Sequence, residues 1–87
     1  MDYNFLAEQL KILGHPVRLK IVFGLLNNEC CVSKISEVLS INQSSVSRHL
    51  SLLRSFDIVE GNRTGTQICY YIKDKKIAKM LKTLEEI

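Results

Sequence analysis

A polar stretch in the middle of the chain combines small hydrogen-bonding side chains with one guanidinium group. Val46, Leu50 and Leu53 recur at helical spacing and define an apolar face. The opposite face carries Gln43, Ser44, Ser47, Arg48 and Ser51. No Asp or Glu occurs between residues 39 and 56, although the chain has nine acidic residues. Short polar side chains can reach base edges in the major groove, and a surface without carboxylates does not repel phosphates. The stretch therefore predicts a DNA-contacting helix face, with a solvated helix face as the alternative.

The three cysteines are the other side chains with chemistry of their own. Cys30 and Cys31 are adjacent, and neighbouring cysteines rarely form a disulfide because the ring would be strained. The first residues show no secretory pattern, and the longest apolar run, 21–26, is far shorter than the ~20 residues of a membrane span. We therefore expect a cytoplasmic protein with reduced thiols and no membrane contact, in which Cys69 belongs to the core.

The apolar periodicity predicts five helices and one hairpin. The helices cover residues 3–13, 16–27, 32–39, 43–55 and 74–86. Strand-forming runs at 58–60 and 67–72 flank the turn-rich segment 61–65, which places Arg63 at the tip of a hairpin. Asn42 is suited to cap the fourth helix, and Ile35, Val38 and Leu39 are expected to face inward from the third. The fold class is mainly α with a β-hairpin, as a single domain over 1–87.

The small size of the chain predicts a partner subunit. Eighty-seven residues bury only a modest core, and with disulfides disfavoured a homodimer is the expected source of additional stability. The net charge of +3 would double in such a dimer and favour approach to a polyanion. Apolar stripes on the first and last helices suit either a dimer contact or an intrachain core: Tyr3, Leu6, Leu10, Leu13, Ile77, Leu81 and Leu84.

The sequence offers no catalytic constellation. Ser47 and His49 are close in the chain, but residues two apart on a helix point to different sides. No third partner, no Gly-x-Ser-x-Gly turn and no glycine-rich phosphate loop accompanies them. We therefore predict that the protein is not an enzyme.

Three segments resemble the ArsR/SmtB family of metal-responsive transcriptional repressors. Residues 39–53 (LSINQSSVSRHLSLL) are similar to the recognition segment of that family, and residues 13–21 (LGHPVRLKI) to the opening of its second helix. Residues 63–65 (RTG) and 70–71 (YY) are similar to its wing. The segments stand in the family's order and span nearly the whole chain. The resemblance implies a winged helix-turn-helix fold with five helices, binding to double-stranded DNA, and a homodimer formed through the terminal helices.

At matching positions the resemblance also implies which residues contact DNA. Contacts to bases or phosphates are expected from Gln43, Ser44, Ser45, Ser47 and Arg48. Arg63 would reach the backbone or the minor groove from the tip of the wing. His49 lies beside the apolar stripe, so both a DNA contact and a packed histidine remain open.

The effector site departs from the family pattern. The family binds soft metals through two cysteines, two residues apart, at the start of the third helix. Here the segment is ECCVS (29–33): Cys31 matches the first of these cysteines, Ser33 replaces the second, and Cys30 stands one residue early. A hydroxyl is a poor ligand for a soft ion. The family's other site needs a histidine on the last helix, and none occurs there. Cys30 and Cys31 therefore remain open as ligands of a soft metal or metalloid ion, as a redox switch, or as packed side chains.

The sequence thus predicts a DNA-binding transcriptional repressor with no certain cofactor. A soft metal ion or thiol oxidation would release it from DNA by shifting a conformational equilibrium, with a coupling of about 1–3 kcal/mol. The alternative is a constitutive winged-helix DNA binder without an effector site. A protein-interaction adaptor is a further alternative, which the carboxylate-free helix face disfavours.

Overall fold

The computed structural model describes residues 1–29 and 31–87, so the predictions for Cys30 fall outside the described residues. Five α-helices and one antiparallel hairpin occur in this part of the chain. In order they are α1 (Tyr3–Leu13), α2 (Pro16–Leu26), α3 (Val32–Leu39), α4 (Gln43–Ser55), β1 (Val59–Thr64), β2 (Gln67–Ile72) and α5 (Lys75–Glu85). The predicted fold class and the order of the elements are confirmed.

Local capping explains where the helices begin. The side chain of Asp2 accepts a hydrogen bond from the backbone N–H of Phe5 at 3.1 Å, and Asn42 accepts one from Ser45 at 2.8 Å. Asp74 caps α5 by accepting from the N–H groups of Lys76 and Ile77. These side chains satisfy donors that the first helical turn leaves without partners. The predicted cap at Asn42 is confirmed.

The core lies between the inner faces of all five helices and the base of the hairpin. Val46, Leu50 and Leu53 of α4 are completely buried, as their spacing predicts. They pack in one cluster with residues from every other helix and the start of β1: Leu13, Ile21, Val22, Leu25, Ile35, Ile58, Val59, Ile77 and Leu81. The inner face of α4 is therefore held rigidly by the core.

Two inward predictions are wrong. Val38 is 46 % exposed, because α3 has only eight residues and buries mainly Ile35. Cys69 lies in β2 opposite Asn62 and is only half buried. It is not a free thiol in this structure, so the expectation of reduced thiols does not hold at Cys69.

The hairpin is longer than its sequence predicts. β1 continues through the segment that reads as a turn, and the register runs from Val59 opposite Ile72 to Thr64 opposite Gln67. The reversal is confined to residues 65–66, where Gly65 has the positive φ of 63° that glycine tolerates well. Arg63 therefore lies within β1, paired with Ile68, and not at the tip.

A buried polar side chain, Gln9, connects three elements. Its side chain is 2 % exposed, and its Nε2 donates to the carbonyl of Phe56 at 3.0 Å and to Oδ2 of Asp74 at 3.1 Å. Phe56 ends α4 and Asp74 begins α5, while Gln9 itself lies on α1. The end of α4 is thus fixed to both terminal helices by one amide group.

The terminal helices expose several large apolar side chains. On α1, Tyr3 is 76 % exposed and Leu10 is 42 % exposed, and Leu84 of α5 is 49 % exposed. Leu13, Ile77 and Leu81 from the same two stripes are buried within the chain. The stripes are therefore divided between the intrachain core and a surface that is free in this structure. No helix in residues 1–29 or 31–87 has the length and apolar content to cross a membrane.

Candidate nucleic-acid interface

The turn between α3 and α4 sets the direction in which α4 leaves α3. Ser40 takes the left-handed conformation, with φ of 57°, and the N–H of Ile41 bonds back to the carbonyl of Ser36 at 3.2 Å. The Ser36 hydroxyl donates in turn to the Ile41 carbonyl. This closure ends α3 in a tight reversal. Asn42 then starts α4 at once, so the two helices form a helix-turn-helix.

The outward face of α4 is exposed and polar, as its sequence predicts. Its exposed members are Gln43, Ser44, Ser47, Arg48 and Ser51. The Ser44 hydroxyl donates to Oδ1 of Asn42 at 2.8 Å, which leaves its oxygen to act as an acceptor. Ser45 is half buried, and its Oγ accepts from Nη2 of Arg48 at 3.2 Å. Ser45 is therefore placed to orient Arg48 on this face.

None of the ion pairs in the described part of the chain involves the outward face of α4. Arg54, at the last turn of α4, pairs with Glu60 of β1 at 3.0 Å. Lys73 pairs with Asp57 at 3.5 Å and with Glu60 at 4.0 Å. Within residues 1–29 and 31–87, Arg48 has no carboxylate at ion-pair distance. Of the two arginines in the acid-free stretch, Arg54 is paired with a carboxylate and Arg48 is not.

The hairpin lies beside α4 and encloses a groove with it. A groove of about 380 Å³ runs between the start of α3, the first turns of α4 and β2. Its walls include Cys31, Gln43, Ser47, Gln67 and Tyr70. A smaller cleft of about 190 Å³ is lined by Arg54, Gly61 and Arg63, among others. Arg63 therefore extends the basic surface from α4 along the hairpin.

His49 lies on the flank of α4, where it meets the start of α2. Its Nδ1 accepts from Nε of Arg18 at 3.3 Å, and its ring centroid is 5.1 Å from that of His15. The pKa of His49 is lowered, first because the ring is partly buried and then because Arg18, His15 and Arg48 are basic neighbours. His49 is thus both half buried and part of a basic cluster. No local pattern in the sequence indicates this cluster, because Arg18 and His49 are 31 positions apart.

Cys31 stands at the N-terminus of α3 without capping it. Its Sγ lies 3.5 Å from Oγ of Ser33, and the side chain is half buried. The pKa of the thiol is lowered, chiefly by the hydrogen bond with Ser33 and then by the backbone N–H of Lys34. Within the described residues, no three His, Cys, Asp or Glu side chains gather as metal ligands. The metal and redox hypotheses for Cys31 stay predictions.

A helix-turn-helix with an exposed polar second helix and a two-stranded wing defines the class of winged helix-turn-helix proteins. The family model of bacterial regulatory proteins of the arsR type matches residues 15–61, which include α2, α3, α4 and the start of β1. This chain belongs to the arsR family. The resemblance seen in the sequence is confirmed.

Individual relatives agree with this assignment. The transcriptional repressor PagR of Bacillus anthracis is 39 % identical over 82 residues, which are 93 % of this chain and 82 % of PagR. The structure of reduced HlyU from Vibrio cholerae matches with a TM-score of 0.89 and 28 % identity, over 95 % of this chain and 87 % of HlyU. A homodimeric winged helix-turn-helix DNA-binding domain from Mycobacterium bovis, from a possible ArsR-family regulator, matches with a TM-score of 0.86 and 28 % identity, over 95 % of this chain and 77 % of that one.

Proposed function

We propose that this chain is a sequence-specific DNA-binding repressor that acts in the cytoplasm as a homodimer, with residues 1–87 forming one DNA-binding domain. The observation that carries the proposal is the outward face of α4, which is exposed, free of acids and held by a completely buried inner face. PagR, a relative of similar length, is a transcriptional repressor. In a groove about 12 Å wide, a helix of this kind brings its outward side chains against base edges.

In this proposal the site residues have separate roles. Gln43, Ser44 and Ser47 read bases from the first two turns of α4, and Arg48 contacts a base or phosphate with Ser45 orienting it. Arg63 meets the backbone from the side of the wing, because it lies within β1 and not at the tip. His49 contacts the backbone from the flank of α4. Exposed Tyr3, Leu10 and Leu84 support a dimer contact through α1 and α5, since a homodimeric relative has the same fold.

The test of DNA binding is fluorescence anisotropy with duplexes selected from genomic fragments on immobilised protein. Selected duplexes should bind at least about 10³-fold more tightly than unrelated duplexes of equal length. Arg48→Ala should weaken binding by about 1–3 kcal/mol. Lys82→Ala is the matched control, because it removes one charge from an exposed position in the last turn of α5. Equal affinity for selected and unrelated duplexes at every salt concentration would refute sequence-specific recognition.

The effector is the finer part of the proposal, and it rests on Cys31 and Ser33 at the start of α3. The thiol opens into the same groove as Gln43 and Ser47, so a group bound there would disturb the reading face directly. Reduced protein on labelled DNA is titrated with As(III), Cd(II), Zn(II) and peroxide. Release that is lost in Cys31→Ser supports a thiol effector. Binding that none of the four reagents changes supports the constitutive regulator instead.

Dimer formation is tested by sedimentation at micromolar concentration. The expected mass is twice that of the 10.0 kDa chain. Leu84→Glu places a charge on the exposed apolar surface of α5 and should shift the equilibrium toward the monomer. A wild-type mass near that of one chain would contradict the homodimer.

A further inference from the structure

We propose that Arg18, His15 and His49 form a second DNA contact, a phosphate-binding site on the flank of α4 that faces the start of α2. The inference rests on the proposed function. It adds two residues that lie outside α4: Arg18 of α2 and His15, the N-cap of α2. The three side chains are called the flank cluster below.

The hydrogen bonds of the flank cluster fix which ring nitrogens remain free. Nδ1 of His49 accepts from Nε of Arg18, and Nδ1 of His15 accepts from the backbone N–H of Val17 at 3.2 Å. In a neutral ring whose Nδ1 accepts, Nε2 must carry the hydrogen. No hydrogen bond to either Nε2 occurs in the described part of the chain. Two imidazole N–H donors are thus available within one small area.

Within residues 1–29 and 31–87, no ion pair compensates the charge of the flank cluster. The ionisable groups that act on His49 are Arg18 and His15 from the start of α2 and Arg48 from its own helix, and all three are basic. Arg18 also donates through Nη1 to the carbonyl of Ile12 at 3.1 Å, a neutral acceptor. A half-buried cationic group without a carboxylate is costly unless an anion approaches it. The uncompensated charge therefore points to an external anion.

The position of the flank cluster makes that anion a DNA phosphate. An α-helix with its side chains is about 10–12 Å across, close to the width of the major groove, so both flanks of a recognition helix meet phosphate strands. His49 lies between the outward face carrying Arg48 and the buried face carrying Leu50. The start of α2 adds the positive end of its helix dipole to the same edge. A helix that reads bases through Arg48 thus brings this flank against one backbone.

The test compares salt dependence for wild type, Arg18→Gln and Lys20→Gln. Lys20 is exposed on the same helix and lies about 200° around its axis from Arg18, so it matches the lost charge but not the position. The slope of log K against log salt is negative. Removing one phosphate contact should make it shallower by about 0.9 for each bound subunit. At 0.1 M salt this corresponds to about eightfold weaker binding per subunit, taking 1 M as reference.

The loss should be equal on selected and unrelated duplexes, because a phosphate carries no sequence information. Lys20→Gln should keep the wild-type slope. An unchanged slope in Arg18→Gln, or a loss confined to selected duplexes, would overturn the flank cluster while leaving the proposed function intact. Wild-type protein that binds no duplex would defeat the proposed function first. Thermal unfolding of each variant is measured at the same salt concentrations, and binding is compared only at temperatures where both variants are folded.

The pH dependence of binding gives a second readout. A phosphate beside His49 favours its charged form, so binding should become tighter from pH 7.5 to pH 6 as Nδ1 takes up a proton. Protonated Nδ1 no longer accepts from Nε of Arg18, so in the bound state both groups would donate to the phosphate. A rise of one unit in its pKa on binding gives at most about fivefold tighter binding across this window. His49→Gln keeps a neutral donor that cannot be protonated, and it should remove that dependence. A dependence of equal size in wild type and His49→Gln would overturn the assignment of His49 to the site.

Discussion

The hydrogen bonds of Gln9 give the sharpest test of how this small fold is held together. Gln9→Leu keeps the side-chain size but removes the donor to the Phe56 carbonyl and to the Asp74 carboxylate. A buried carbonyl without a partner costs about 1–3 kcal/mol, and a lost bond to a charged group costs about 1.5–3 kcal/mol. Greater apolar burial offsets about 1–2 kcal/mol. We expect the free energy of unfolding to fall by about 1–5 kcal/mol.

The size of this loss should depend on pH in a defined direction. Burial opposes ionisation of Asp74, but hydrogen bonds from Gln9 and from the N–H groups of Ile77 and Lys76 keep its pKa below the usual value. A lowered pKa in the folded state stabilises the fold above about pH 4, and this stabilisation disappears as the pH falls through the lowered pKa. Gln9→Leu raises that pKa. The difference between wild type and variant should therefore be largest at pH 7 and narrow below pH 4.

Urea denaturation followed by circular dichroism measures both effects. Protein concentration must be the same in all samples, because dimerisation contributes to apparent stability. Gln9→Glu is the informative companion, since it places a second carboxylate beside Asp74. It should be the less stable variant at pH 7 and recover relative to Gln9→Leu as the new carboxyl becomes protonated. Equal stability of Gln9→Leu and wild type at pH 7 would refute the reasoning.

Two further predictions concern backbone geometry. Ser40→Gly should stabilise the protein by about 1 kcal/mol, because Ser40 has the left-handed backbone conformation, which costs a residue with a Cβ about that much. Thermal unfolding measures the change, and a variant that melts below wild type would contradict the prediction. Gly61→Ala should destabilise the protein by about 1–3 kcal/mol, because the new Cβ would lie 2.6 Å from Cγ2 of Ile68 in the opposite strand. Urea denaturation measures the loss, and unchanged stability would contradict the prediction by showing that β2 can move away.

The helices were predictable because their signals are local. The limits of α3 follow from apolar spacing, and the start of α4 follows from the capping side chain of Asn42. The outward face of α4 was predictable for the same reason, since it lies opposite the buried stripe on the same helix. The resemblance to a known family then supplied the function that periodicity cannot indicate.

The remaining features depend on contacts between distant parts of the chain. β1 extends through Gly61 and Arg63 because pairing with Ile68 and Tyr70 outweighs the turn-forming composition of the segment. The contact of Arg18 with His49 joins residues 31 positions apart. The ion pair between Arg54 and Glu60 likewise forms only when the hairpin folds back onto α4. None of these follows from the period or composition of a single segment.

The ion pairs at the base of the hairpin have a practical consequence for handling the protein. The side chains of Arg54, Lys73 and Asp57 are about half exposed or more, and exposed pairs contribute about 0–1 kcal/mol to stability. Raising the ionic strength therefore removes little from the folded state, whereas it strongly weakens attraction to a polyanion. Concentrated salt should accordingly elute the intact protein from a heparin or nucleic-acid column, ready for assay after simple dilution.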